Sequence, residues 1–351
     1  MAVYTTIDDA GSFFSPKLYT GDGSTQAITG VGFQPDMVWG KQRADAGANY
    51  FVFDAVRGAT KFIESDTNAV ESTEATSLTA FDADGFSLGA FAQSNENLKT
   101  MVSWNWKMGT TSGIGGSPST TPTAYSFNAT AGQSAIQYTG TSVAGGGPTA
   151  TLPHGLGVAP AFIILKNYTA ASRDWYVYHQ YLGNTQRIYL NQNTAATTSS
   201  TAWNDTSPTS TLFTVGTNEA VNENTSNLIA YCFAEKQGYS KFSSYTGNGN
   251  ADGPMIYTGF RPAWILTKKT TATVDWWVFD DKRIGYNPNQ YRLLANTSSA
   301  ETSVGYVDFL SNGFKWRSSD GDINGSGDVF VYAAFAESPF VNSEGVPTNA
   351  G

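Results

Sequence analysis

Two carboxylate pairs are the first residues in this sequence whose types and spacing could do chemistry. Glycoside cleavage needs two carboxyl groups, one acting as acid and the other as base or nucleophile. Asp82 and Asp84 flank the hairpin "DADG", and Asp280 and Asp281 end the aromatic stretch "DWWVFDD". Aspartate is at home in turns for purely local reasons, and nothing in the spacing supplies either pair with a partner. His154, in the turn "LPHGLG", and His179 are the two histidines. They occupy non-equivalent places, whereas a triad or a histidine-based metal centre requires partners at matched positions. Cys232 alternates with Tyr231 and Phe233 and reads as a small strand residue. In "SSDGDINGSGDVF", Asp320, Asp322, Asn324 and Gly325 fit positions 1, 3, 5 and 6 of a calcium loop, but the twelfth position is Val331, not a bidentate glutamate. We therefore expect no catalytic residue, no metal and no cofactor: the protein is read as non-enzymatic.

Binding chemistry is better represented. Trp203 lies in the polar stretch "STAWNDTSPTS", beside Asn204 and Asp205. An exposed indole with amide and carboxylate neighbours offers a sugar an apolar face and acceptors for its hydroxyls. Trp316, Asp320, Asp322 and Asn324 form a second such set. The alternative for these tryptophans is packing against a neighbouring domain or subunit. Trp276 and Trp277 point to opposite faces of one strand, so one can be core and the other cannot share that face.

These residues are carried by a repeat. "YTG" occurs at Tyr19, Tyr138 and Tyr245. Each is followed by a turn ending in proline ("GFQP", "GVAP", "GFRP") and then by an apolar strand ending in lysine ("DMVWGK", "AFIILK", "AWILTK"). Pro35 to Lys41, Pro160 to Lys166 and Pro262 to Lys268 are all six residues. An aromatic strand follows in each ("YFVFD", "DWYVYH", "DWWVFD"), and each copy closes on an alternating strand ("VSWNWKM", "IAYCFAE", "VYAAFAE"). Period-two alternation in short strands predicts an all-β chain of three tandem antiparallel β-sandwich modules of jelly-roll or lectin-like kind. The expected layout is an N-terminal segment 1–17, modules at 18–109, 137–236 and 244–340, a Gly/Ser/Thr/Pro-rich linker 110–136, and a C-terminal tail 341–351. A flexible first joint and a stiff second one would give a rod, with loops at the module ends.

Composition narrows the partners. Of 351 residues only 14% are charged, the net charge is −9, and the pI is near 4.7. No basic field is available to neutralise phosphates, so nucleic acid is not expected as a partner. A single cysteine rules out an internal disulfide. The start "MAVYTTIDDAGSFF" lacks the basic and apolar regions of a signal peptide. No apolar run approaches the roughly twenty residues that span a bilayer, so no membrane insertion is expected.

Several of these stretches resemble a known family. "GYSKF.SYTGNG.ADGP..YTGFRPA", "HGLG.AP…W.VYH…WND..PTS..F…AYCFAE" and "YTTID…FF…LYTG.GS.QAITG…QPD.VW.K…FD.VRG" resemble modules of tailed-bacteriophage proteins, marine ones especially. The likeness covers nearly the whole chain. It implies a virion surface protein, a tail fibre or adhesin component with concanavalin-A-like lectin sandwiches. It further implies other virion proteins and a host surface glycan as partners, a homotrimer, and a location on the particle after synthesis in the host cytoplasm. A virion structural protein without receptor contact, or less readily a glycan hydrolase, is the alternative.

Overall fold

The computed structural model describes residues 4–143 and 146–348. Among these residues it is all-β: several antiparallel sheets, joined by loops and four single-turn α-helices. Four strands recur in each repeat, in one spatial order. The opening strands are Phe14–Thr20, Gln133–Thr139 and Ser240–Thr246. The lysine strands are Met37–Gln42, Phe162–Asn167 and Phe260–Lys269. The aromatic strands are Phe51–Asp54, Tyr176–His179 and Trp277–Asp280. The closing strands are Thr100–Trp106, Asn227–Phe233 and Val329–Pro339. In every repeat the closing strand lies between the opening and lysine strands, and the aromatic strand flanks the lysine strand. The first and last strands therefore pair, tying the ends of each repeat together: Tyr19 faces Met101, Tyr138 faces Leu228, and Tyr245 faces Phe330.

Smaller strands cover one face. In the first repeat a three-stranded sheet (Gln26–Thr29, Leu78–Asp82, Gly85–Leu88) encloses Val38, Phe51, Phe53 and Phe86. In the second a two-stranded sheet (Ala150–Pro153, Leu212–Val215) encloses Ile163, Leu165, Phe213 and Cys232. In the third all eight strands join one sheet, which curls into a nearly closed barrel.

The "YTG" motif has a concrete cause. It ends the opening strand, which begins four residues before each boundary expected at 18, 137 and 244. The tyrosine hydroxyl donates to a carbonyl of a single-turn helix: Tyr19 to Ser94, Tyr138 to Val221, and Tyr245 to Ile323, at 2.7, 2.5 and 2.8 Å. The glycine then passes so close to the residue after that helix that a Cβ would lie 2.2 to 2.3 Å from its carbonyl oxygen. Gly140→Ala is accordingly expected to cost about 1–3 kcal/mol through forced overpacking. A urea midpoint equal to the wild type would contradict this.

The repeats do not form a rod. Their opposite faces meet in a shared aromatic core. Trp106, Phe233 and Phe335 occupy matching positions in the three closing strands, and all three rings touch. Their centroids are 6.1, 5.6 and 5.6 Å apart, so they mark a pseudo-threefold axis. Nor is the first joint loose. Residues Ala124–Asn128 form a strand paired to the second opening strand, and Gly109 N and Met108 N are held by Ser126 Oγ and Asp36. The linker composition suggested flexibility, but backbone hydrogen bonds and the hydrophobic contact with the shared core outweigh it.

Candidate functional site

Three contacts around the ring each join a closing strand to the end of a neighbouring repeat's aromatic strand, with the donor reversed in the third. Tyr231 in the second closing strand donates to Asp54 of the first repeat at 2.6 Å. Trp104 in the first closing strand donates from Nε1 to Asp280 of the third at 3.1 Å. His179 Nε2 of the second repeat donates to Tyr332 O of the third closing strand at 3.1 Å. Asp54 and Asp280 are each further bound by an arginine three residues on, Arg57 at 2.5 Å and Arg283 at 2.6 Å, with all four side chains fully buried or nearly so. The signal was present in the sequence as "FDAVRG" and "FDDKRI", against "YHQYLG" in the second repeat.

The expected reactive and binding residues are therefore redistributed. Asp280 is a buried structural acceptor, and Asp84 holds Gly30 N and Gly32 N of a turn. Burial lowers His154 and His179 to about 4, so both rings are neutral, with Nδ1 accepting from Leu156 N and Tyr181 N. Burial raises the Cys232 thiol, the opposite of an activated nucleophile.

Trp203 is 1% exposed and Trp316 is fully buried, so neither can stack on a ligand. Trp203 lies in a helical turn, Ser200–Trp203, with its ring edge-on to Tyr178 and Nε1 donating to Gln186 O. The polar sequence around it concealed one inward position. Asn324 is buried and gives its amide to Asn248, Asn250 and Ser318, while Asp320 caps the turn Gly321–Asn324. Asn95 and Asn222 repeat the Asn324 clamp in the other copies. Asn204, Asp205 and Asp322 alone of the set face solvent. Trp276 and Trp277 are both buried because both sheet faces are covered, one by the second repeat and the other by the barrel interior.

Two open clefts lie in matching places, between the loop after the lysine strand and the single-turn helix. The cleft in the second repeat has about 520 Å³ and is lined by Arg173, Asp174, Tyr176, Thr217, Asn218 and Glu219. Arg173 bridges Glu219 and Glu223 at 2.6 and 2.7 Å and holds Glu223 below the usual carboxylate range. The cleft in the first repeat has about 350 Å³ and is lined by Gln42, Asp45, Asn49, Gln93 and Glu96. Both are polar and shallow, and suit hydroxyl-bearing ligands better than apolar ones.

In all three repeats the lysine of the lysine strand closes the loop that follows it. Lys41, Lys166 and Lys268 donate to Ala48 O, Arg173 O and Ala272 O. Burial lowers each from 10.5 to about 8. The unfolded chain keeps these protons to higher pH than the folded one. In that window the unfolded state binds more protons, and stability rises with pH. We expect the urea midpoint to rise between pH 8 and 9.5, below the range in which unfolded tyrosines ionise. Lys166→Met is expected to remove about a third to a half of the rise, since the raised Cys232 thiol opposes the three lysines in this window. A flat or falling profile would contradict the assignment.

A family model described as "Domain of unknown function (DUF7483)" matches residues 9–339, and the chain belongs to that family. No curated protein and no solved structure matches.

Proposed function

We propose that this member of the family is a non-enzymatic virion surface protein of a tailed bacteriophage. In this reading it is a tail fibre or adhesin component built from three tandem lectin-like β-sandwich modules. One observation carries the binding part of the reading. The polar clefts and the "YTG" loops lie at one end of the strands, and both terminal segments lie at the other. There Ser343 N and Oγ bond Asp8 at 2.6 and 2.5 Å, and Phe340 N bonds Gly259 O. A rigid ring presents loops at one end and can be anchored by the other, as binding proteins commonly do. The partners are other virion proteins at the anchored end and a host surface glycan at the loop end. A homotrimer, implied by the resemblance, would bring three such rings together.

The shared aromatic core also favours a second reading, a virion structural protein with no receptor contact, because it confers rigidity whatever the loops do. Labelled antibody on particles, together with adsorption competition by purified protein, tests both. Tail-tip label with competition is the expected result. Head label without competition supports the structural reading, and absence of label from particles sinks both.

A further inference from the structure

The three junctions between repeats share one plan, and one of them departs from it. Where the second repeat meets the first, Glu71 N donates to Tyr168 O at 2.8 Å, Arg57 pairs with Glu71 at 3.1 Å, and its guanidinium lies over the Tyr168 ring. Where the first meets the third, Glu301 N donates to Arg43 O at 2.8 Å, and Glu301 receives both Arg283 at 3.0 Å and Arg43 at 2.8 Å. Where the third meets the second, Ala196 N donates to Thr270 O at 2.9 Å, so the backbone contact is kept. The side chains there are Leu182, Ala196 and Thr270, in the places of Arg57, Glu71 and Tyr168.

The guanidinium and carboxylate that fill the other two junctions are missing, and a cleft of about 500 Å³ lies here. Its lining includes Tyr181, Leu182, Gln186, Ala196, Thr270 and Thr271, with no charged side chain. Tyr181 is 52% exposed. Its ring is an apolar face available to a ligand, beside an amide and hydroxyl groups.

We infer that this junction cleft is a binding site for a neutral saccharide, an inference that rests on the adhesin reading above. The volume is within the range of small-ligand sites, about 300–1,000 Å³. An ionic ligand would lose its hydration with no counter-charge to meet it. A wholly apolar ligand would cover Gln186 and Thr271 without giving them partners. A pyranose satisfies both constraints, with C–H groups on Tyr181 and hydroxyls toward Gln186 and Thr271.

The test uses the full chain on an array of maltohexaose, laminarihexaose, chitohexaose and heparin, with any hit titrated in solution. The double variant Leu182→Arg/Ala196→Glu rebuilds the charge pair of the other junctions inside the cleft. Tyr181→Ala removes only an exposed ring and reports independently if the double variant does not fold. Saturable binding to a neutral oligosaccharide, weakened about tenfold or more by Tyr181→Ala with an unchanged melting temperature, is the expected result. Binding unaffected by Tyr181→Ala, binding to heparin alone, or binding to none of the neutral sugars overturns the inference. If the wild type blocks phage adsorption and both variants block it equally well, the cleft assignment fails while the adhesin reading stands. If the wild type blocks nothing, the adhesin reading itself fails.

Discussion

Trp106→Ala is expected to lower stability by about 3–5 kcal/mol, the usual cost of deleting a large buried aromatic side chain. Trp106 is 1% exposed and touches Phe14, Trp39, Phe233, Trp264 and Phe335, which come from all three repeats. The cavity would open on the axis, where no single repeat can collapse to refill it. The repeats are therefore expected to lose stability together, seen as one shifted denaturation transition by both tryptophan fluorescence and far-ultraviolet dichroism. A loss below about 1 kcal/mol, or separate transitions for the two probes in the wild type, would show that the repeats are energetically independent.

Asp280→Ala is expected to cost about 3–5 kcal/mol, by taking from the buried Arg283 its closest carboxylate and leaving Glu301 as its one remaining counter-charge. Asp280 is fully buried, as is the Arg283 side chain. Its carboxylate receives Arg283 Nε and N, Lys282 N, and Trp104 Nε1 from the first repeat. The second substitution Arg283→Met should recover part of the loss, because the buried guanidinium whose Nε has lost its acceptor, and not the missing contact, dominates the cost. A double variant no more stable than Asp280→Ala would refute that account. The matching change Asp54→Ala should behave alike, since Asp54 holds Arg57 and Tyr231 in the same way.

The repeat was legible because its markers answer to local constraints. "YTG" recurs because a tyrosine hydroxyl, a strand end and a Cβ-free residue are needed together against one short helix. The lysine recurs because its ammonium group closes the following loop. The candidate site was misread for a complementary reason. Trp203 stands among polar residues, and sequence alone does not show that the one turn carrying it faces inward. The clefts are made by residues far apart in the chain, such as Arg173 with Glu219, and Tyr181 with Thr270. No spacing rule connects them.

By itself the sequence determined an all-β antiparallel chain, a threefold internal repeat and the positions of most strands, because alternation and turn residues act over a few residues at a time. Only the tertiary structure decided that the repeats close around Trp106, Phe233 and Phe335 and do not extend into a rod. It also decided that Asp54 and Asp280 seal two junctions while Leu182 and Ala196 leave the third open. A continuous apolar run shows that a strand has two apolar faces but does not show what covers the second one. That is settled by which distant surface buries the most aromatic area.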